Sequence, residues 1–440
     1  MLTILIFLFF LIIPLLYCLH RGDLKLFVLY SVFTFWVPIS LPFPGIFEQI
    51  TIPEFFIYAG TIFYFFNKNS LKKTSSVKIN SVIKFAFVLL LIGCFTSMFN
   101  SINSKFLFIG FRQTFIMPLA FLYVFSRIDF DKHYLGNISF AFIISILILL
   151  ATLYLHPKTF SFQQYRGASQ ELFRLGGEYL FLDKYTGIYY EATVGAFLGF
   201  MIPFIITFYR IEKRAVRKFI YICGFIIMSI AIVLAAGRSG WVAMAVGLIV
   251  IYLGSLHKGQ RFFTISLTVI LTISIIFLIS GVIAPTFAIE GKFFERITSF
   301  ASLDSAPNLL VRVYQWIWAW DVFLKNPFGI GFWNFTVITN SLFAGNSTWI
   351  TMLLNIGIIG TIGFSVLFFY SLFIALKNIF SGSDSIIYIG LFASLISFSI
   401  GATTENLFDA GLYTTLPFWL IIGIIHNLNR NNHNSNSTIG

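Results

Sequence analysis

The chain has 440 residues, 58% hydrophobic and 10% charged, with a net charge of +12 and a mean hydropathy of +0.89. A soluble globular protein carries roughly 25% charged residues, so this composition excludes one. Lipid offers no partner to an open backbone, so apolar runs of spanning length must be helices. The expected fold is all-α, a polytopic integral membrane protein with about 12–13 transmembrane helices and an outward-facing loop region containing an amphipathic helix.

In chain order, spans are expected near 2–19, 24–40, 52–66, 82–99, 106–125, 138–155, 187–208, 219–236, 239–254, 263–285, 347–376, 386–402 and 411–427. The first has no basic start and no small-residue cleavage site, so it reads as a retained span. Cys18, Cys94 and Cys223 fall inside apolar runs and form neither a metal spacing nor a disulfide framework. The 57 phenylalanines accompany many Ile, Asn and Lys, a bias typical of AT-rich genomes, and Phe is ordinary lipid-facing material.

Charge sorts by connection. Alternate connections hold Arg21 and Lys25; Lys68, Lys72, Lys73, Lys78 and Lys84; Arg127 and Lys132; Arg210, Lys213, Arg214, Arg217 and Lys218; Lys258 and Arg261; Lys377; and Arg430. The positive-inside rule puts this set in the cytoplasm. Most of the excess charge is then a topology signal beside anionic lipid, and no nucleic-acid partner is needed. Residues 1–440 read as a single membrane domain whose two long connections, 156–186 and 286–346, face outward. Both are rich in Tyr, Phe and Trp, unlike disordered segments.

The outward features carry the candidate chemistry. Arg112 stands six residues inside its expected span, on the outer half. It either extends an anion pocket or reaches out to the headgroups. Arg166 and Gly177, in YRGASQELFRLGG, stand at an R-x10-G spacing. In TGIYYEATVGAFLGF, Glu191 meets an outward helix start, as a dipole complement or cap, or as a general base or partner of a sugar hydroxyl. In LAAGRSGWVA, Arg238 precedes a span whose N-terminus opens outward at Ser239. Unsatisfied N–H groups and a partial positive charge suit an anion there. Gly237 and Gly240 let a ligand approach, and the guanidinium fork suits phosphate. The alternative is an arginine reaching to lipid phosphates.

Arg296 lies in the second long connection, followed by PNLLVRVYQWIWAWDVFLKNPFGIGFWNF. Pro307 suits a first helical turn, and Leu309, Val313, Trp316, Trp320 and Leu324 recur at helical spacing. Arg312 and Gln315 share another face, and Asn326-Pro327 with Gly329 and Gly331 end the element. A Trp-rich amphipathic helix near 307–325 is expected to lie flat at the outer headgroup level. Arg312 is then a second anion-binding arginine or a charge on the wet face. Asn346, Ser347 and Thr348 stand where a cap for the next span is needed. No metalloprotease, Walker or nucleophile-elbow motif occurs in the outward segments, so no cofactor or metal is expected. The chemistry that remains is departure of a phosphate from an activated substrate.

Three stretches carry a resemblance. LAAGRSGWVAMAVGLIV resembles the arginine turn of the O-antigen ligase and polymerase family of bacterial envelope assembly. SLDSAPNLLVRVYQWIWAWDVFLKNPFGIGFWNF resembles its outer-loop segment, with an arginine, a Trp-rich helix and a P-hydrophobic-G-hydrophobic-G close. GNSTWITMLLNIGIIGTIGFSVLFFY resembles its next span, a leucine-rich helix broken by a G-hydrophobic-hydrophobic-G step. Together they cover about the C-terminal half of the chain. The resemblance implies a metal-independent glycosyl transfer at the periplasmic face of the cytoplasmic membrane, from a polyprenyl-diphosphate-linked glycan held by Arg238 and Arg312. It also implies membrane lipid, a chain-length regulator and a flippase as partners. Ligases usually carry a His-Asn pair before the span that starts here near Ser347, whereas this chain has Gly345-Asn346. GIYYEATVGAFL is similar to the E-P-S-like segment of many polymerases, with Ala192 in place of the proline. The expectation is a polymerase, with a ligase as the alternative. A transporter of lipid-linked glycan is the alternative of another class, and it should bury ionisable groups near midplane in both halves.

Overall fold

The computed structural model describes residues 11–35, 40–41, 50–67, 80–100, 110–125, 127–128, 130–155, 191–234, 238–255, 307–332, 347–381, 385–404, 407 and 412–437. The expected span 263–285, the connection 156–186, and Arg166, Arg296 and Asn346 lie outside these residues. The described chain forms α1 (Ile13–Arg21), α2 (Leu24–Phe33), α3 (Ile52–Asn67), α4 (Ser81–Met98), α5 (Met117–Phe125), α6 (Lys132–Leu155) and α7 (Glu191–Ile211). It continues through α8 (Ala215–Leu234), α9 (Arg238–Ser255), α10 (Pro307–Lys325), α11 (Thr348–Ser381), α12 (Ser385–Thr404) and α13 (Leu412–Ser437). A π-helical turn, Arg112–Ile116, leads into α5. Among the described residues the fold is all-α apart from one two-residue antiparallel pairing between α2 and α3, Ser40 with Thr51 and Leu41 with Ile50.

The surface has the character of a membrane protein. Phe85, Val88, Ile92 and Phe95 are exposed along α4, with Phe99 at its C-cap, and Phe219, Ile222, Ile226 and Ile230 along α8. Ile358, Ile362, Phe369, Phe373, Leu376 and Phe380 form a third such stripe on α11. Spacings of three, four and seven put each set on one helix face, and lipid is the solvent that such faces require. Ser81–Met98, Ser385–Thr403 and the part of Thr348–Phe380 that follows Gly357 are long and apolar enough to cross a bilayer, and several shorter helices are similarly apolar.

Small residues set the helix contacts, as expected where backbones must approach closely in lipid. Gly240 of α9 packs on the Gly195 backbone of α7, and Gly247 of α9 faces Pro203 of α7 and Ser397 of α12. Gly390 of α12 packs on Thr207 near the end of α7, while Gly401 packs on Ala196 near its start. So α7 and α9 run parallel, with α12 antiparallel to both. On the other side Gly93 of α4 meets Gly360 and Ile356, Gly363 meets Ala86 and Leu90, and the Asn80 amide donates to the Tyr370 hydroxyl at 2.6 Å.

The basic turns gather at one end. Tyr134, at the start of α6, donates to the Lys25 carbonyl at 2.7 Å, and its ring lies under the Lys25 ammonium. Tyr221 of α8 donates to the Gly136 carbonyl at 3.0 Å, and Arg217 lies over Phe140. Asn427 of α13 donates to the carbonyls of Phe125 and Ile128 at the end of α5. Between α7 and α8, Glu212 accepts from the amides of Lys213 and Arg214 at 2.9 and 3.0 Å. Desolvation pushes its carboxyl up, but those amides and the Arg217 and Arg214 charges outweigh it and hold the group below the ordinary carboxylate range.

Candidate functional site

The opposite end of the bundle collects helix N-termini. Arg238 is the first residue of α9. Trp241, one turn in, donates its indole N–H to the Ile232 carbonyl of α8 at 3.0 Å and so staples the two helices across the Gly-Arg-Ser-Gly turn. Gly240 abuts Gly195, which lies one turn inside α7, and α7 begins at Glu191. A Cβ on Gly240 would collide with the Gly195 backbone. The first turns of α7 and α9 are therefore neighbours, one carrying Glu191 and the other Arg238.

The third N-terminus belongs to α11, which folds back on itself. Gly357 has φ 64° and ψ −174°, a conformation essentially reserved for glycine. It divides α11 into an arm, 348–356, and a span, 358–381. In a continuous helix Trp349 and Phe368 would stand about 28 Å apart at 1.5 Å per residue. Their rings are 5.3 Å apart, and Trp349 also meets Phe364 at 5.5 Å. The arm thus lies back along its own span, against Phe364 and Phe368, which are themselves buried in the bundle, and its start is tucked inward. Ser347 donates to the Ala402 carbonyl at 3.3 Å, and the Thr348 hydroxyl accepts from the Leu407 amide at 2.9 Å. Since Gly401 packs on Ala196, the starts of α7, α9 and α11 meet around Gly401, Ala402 and Leu407. Each helix N-terminus carries unsatisfied N–H groups and roughly half a positive charge, which favours an anion.

The break in α11 is filled by the segment that closes α10. A continuous helix would pair the Ile358 amide with the Leu354 carbonyl. Instead Ile358 N–H donates to the Pro327 carbonyl at 2.9 Å, and Leu354 O accepts from Ile330 N–H at 2.7 Å. The lost helical bond is replaced by two bonds to one loop. Gly329 (φ 92°) and Gly357 face each other, and a Cβ on either would strike the other's backbone neighbourhood. α10 itself spans the expected 307–325, placing Arg312 and Gln315 three residues apart in its N-terminal half. Its C-terminal half packs Ala319 and Phe323 on Leu354 of the arm, with Val322, Ile350 and Leu353 around them. Ile317, Trp318, Trp320 and Leu324 stay exposed, an apolar Trp-bearing surface suited to a membrane interface.

Arg112 turns into the bundle. It is 4% exposed, and its Nε lies 3.1 Å from Oε1 of Glu54, which is fully buried in the first turn of α3. Two residues earlier, Gly110 packs on the ring of Phe332, the residue after the Gly329–Gly331 loop. The Arg112 turn is thus next to the segment that closes α10. Sequence reasoning missed Glu54, although the signal was present: it is a lone carboxylate in an apolar run, matching the lone arginine of another. The staple by Trp241 and the fold-back of α11 left no such signal.

Residues 223–365 match the model of the family described as O-antigen ligase, which includes ligases and polymerases. The match takes in the end of α8, all of α9 and α10, and α11 through its break. No curated protein matches the chain.

Proposed function

We propose, from the premise that residues 223–365 form an O-antigen ligase family domain, that this multi-pass membrane protein polymerises polyprenyl-diphosphate-linked oligosaccharide repeat units into a surface polysaccharide. The observation that supports it is the meeting of three helix N-termini at the end of the bundle away from the basic turns, one of them headed by Arg238. That end is the periplasmic one in this reading, in the bacterial cytoplasmic membrane.

A hydroxyl of one repeat unit attacks the anomeric carbon of another. The new C–O bond forms as the bond to the diphosphate breaks, and the hydroxyl proton passes to Glu191. Arg238 and Arg312, with the helix N-termini, stabilise the charge gathering on the departing diphosphate. Preorganised donors of this kind are each worth about 3 kcal/mol in a dry site. Arg112 forms a neutral pair with Glu54, so its part is that of a hydrogen-bond donor, not a counter-charge. Arg166, Arg296, Gln315 and Asn346 complete the substrate-binding set. A chain-length regulator and a flippase are the expected partners in the membrane.

The test is Arg238→Ala or Arg312→Ala in cells, with insertion confirmed and the surface glycan run on a gel. The ladder of repeat units should collapse toward a single unit, and a normal ladder refutes the assignment. The family description itself favours a second reading, transfer of finished glycan to an acceptor. In that case the acceptor is left bare while long polymer accumulates on the lipid carrier.

A further inference from the structure

The loop that splices the break in α11 is tethered to the rest of the bundle by a short side-chain hydrogen bond. Asn100, just past the end of α4, donates its side-chain amide to the Gly329 carbonyl at 2.7 Å. Thr96 also approaches this loop, 3.4 Å from the Phe328 carbonyl. Its hydroxyl has one proton, however, and the Gly93 carbonyl is nearer at 3.0 Å. Gly329 in turn touches Gly357, and the flanking Pro327 and Ile330 hold both sides of the break. One side chain just past α4 is therefore connected, through the backbone of this loop, to two elements at once. These are α10, which carries Arg312, and the arm of α11, which starts at the cluster of helix N-termini.

We propose that Asn100 is a positioning residue for glycosyl transfer. It fixes the 326–332 loop on α4, and through that loop sets where α10 and the arm stand relative to each other. It touches no substrate; it acts through the placement of Arg312. The inference rests on the role given to Arg312 above.

A double-mutant cycle tests it, because coupled residues give non-multiplicative losses whereas independent ones multiply. Membranes holding each variant are given native lipid-linked repeat unit extracted from cells lacking the protein. The initial rate of chain extension is measured per amount of folded protein. Asn100→Ala should lower the rate about tenfold, since misplacing a group by a fraction of an ångström is enough for this, and Asn100→Gln should restore most of it. In an Arg312→Ala background, Asn100→Ala should cost less than about a further twofold. Multiplying losses would overturn the inference. So would failure of Asn100→Ala to accumulate while Asn100→Gln restores amount and specific activity together, which makes the contact one of folding only. A normal rate in Arg312→Ala alone defeats the functional reading instead, and the two failures are thereby distinct.

Discussion

At the scale of single residues, glycine and buried charge do the most specific work. Gly357→Ala places a Cβ against the Phe328 carbonyl carbon at a backbone angle that L-residues avoid. A loss of about 1–3 kcal/mol is expected from the backbone alone, read as a lower melting temperature in detergent. Gly136→Ala is the control: nothing stands within 4 Å of its Cβ position. Because Gly136 is inside α6, that change should be neutral or stabilise slightly. For the ion pair, Glu54→Leu strands the Arg112 charge and should destabilise by about 3–5 kcal/mol. Glu54→Leu with Arg112→Met should recover most of that, since an apolar pair needs no counter-charge. A double variant as unstable as the sum of the singles would show that the pair's value lies in geometry and not in neutralisation. Sequence reasoning singled out Arg112 alone as an intramembrane charge and passed over Glu54. It did not pair them, because the partners sit on helices that only the packing of α3 against the Arg112 turn brings together.

At the scale of elements, the helix boundaries were legible and the contacts between helices were not. Apolar runs bounded by charge placed α3, α4, α8, α9 and α12 within a few residues, because lipid imposes one length and one composition on every span. α13 starts where expected but continues through a polar stretch to Ser437, past the expected 427. Pro307 and the Asn326-Pro327 stop placed α10 for the same local reasons. The G-hydrophobic-hydrophobic-G step marked the break in α11. Its consequence, a reversal that brings Trp349 onto Phe368, depends on bonds from a loop more than twenty residues away, and no local pattern contains them. Elements also predict function. Gly240→Ala must push α9 off Gly195, which shifts the helix start that carries Arg238. Polymer output should fall at least about tenfold, because placement of a charge-stabilising group matters more than its presence. Gly247→Ala serves as the comparison. It widens the same bundle against Pro203 and Ser397, well down the helix, and should lower stability more than output. Equal effects of the two on output would argue that the start of α9 has no special part.

At the scale of the whole molecule, the polarity of the bundle connects charge to chemistry. The described basic turns are linked to one another at one end by the contacts of Tyr134, Tyr221 and Asn427, and the helix N-termini of α7, α9 and α11 collect at the other. In the proposed orientation this polarity separates the anion-attracting cluster from the anionic inner leaflet, where lipid phosphates would compete for it. This arrangement makes a definite topological expectation. With Cys18, Cys94 and Cys223 replaced, single cysteines at Lys213 and Asp321, both exposed, report the two ends. In spheroplasts, a membrane-impermeant maleimide should label Asp321→Cys directly and Lys213→Cys only after lysis. The inverse pattern would put the cluster in the cytoplasm, where lipid-linked repeat units have not yet been flipped. It would remove the polymerase and ligase readings together while leaving every helix contact described above intact. Labelling at both positions before lysis would instead show a damaged membrane, so a cytoplasmic marker enzyme is probed in the same sample. The outcome therefore separates the architecture, which rests on packing, from its use, which rests on the side of the membrane that α10 faces.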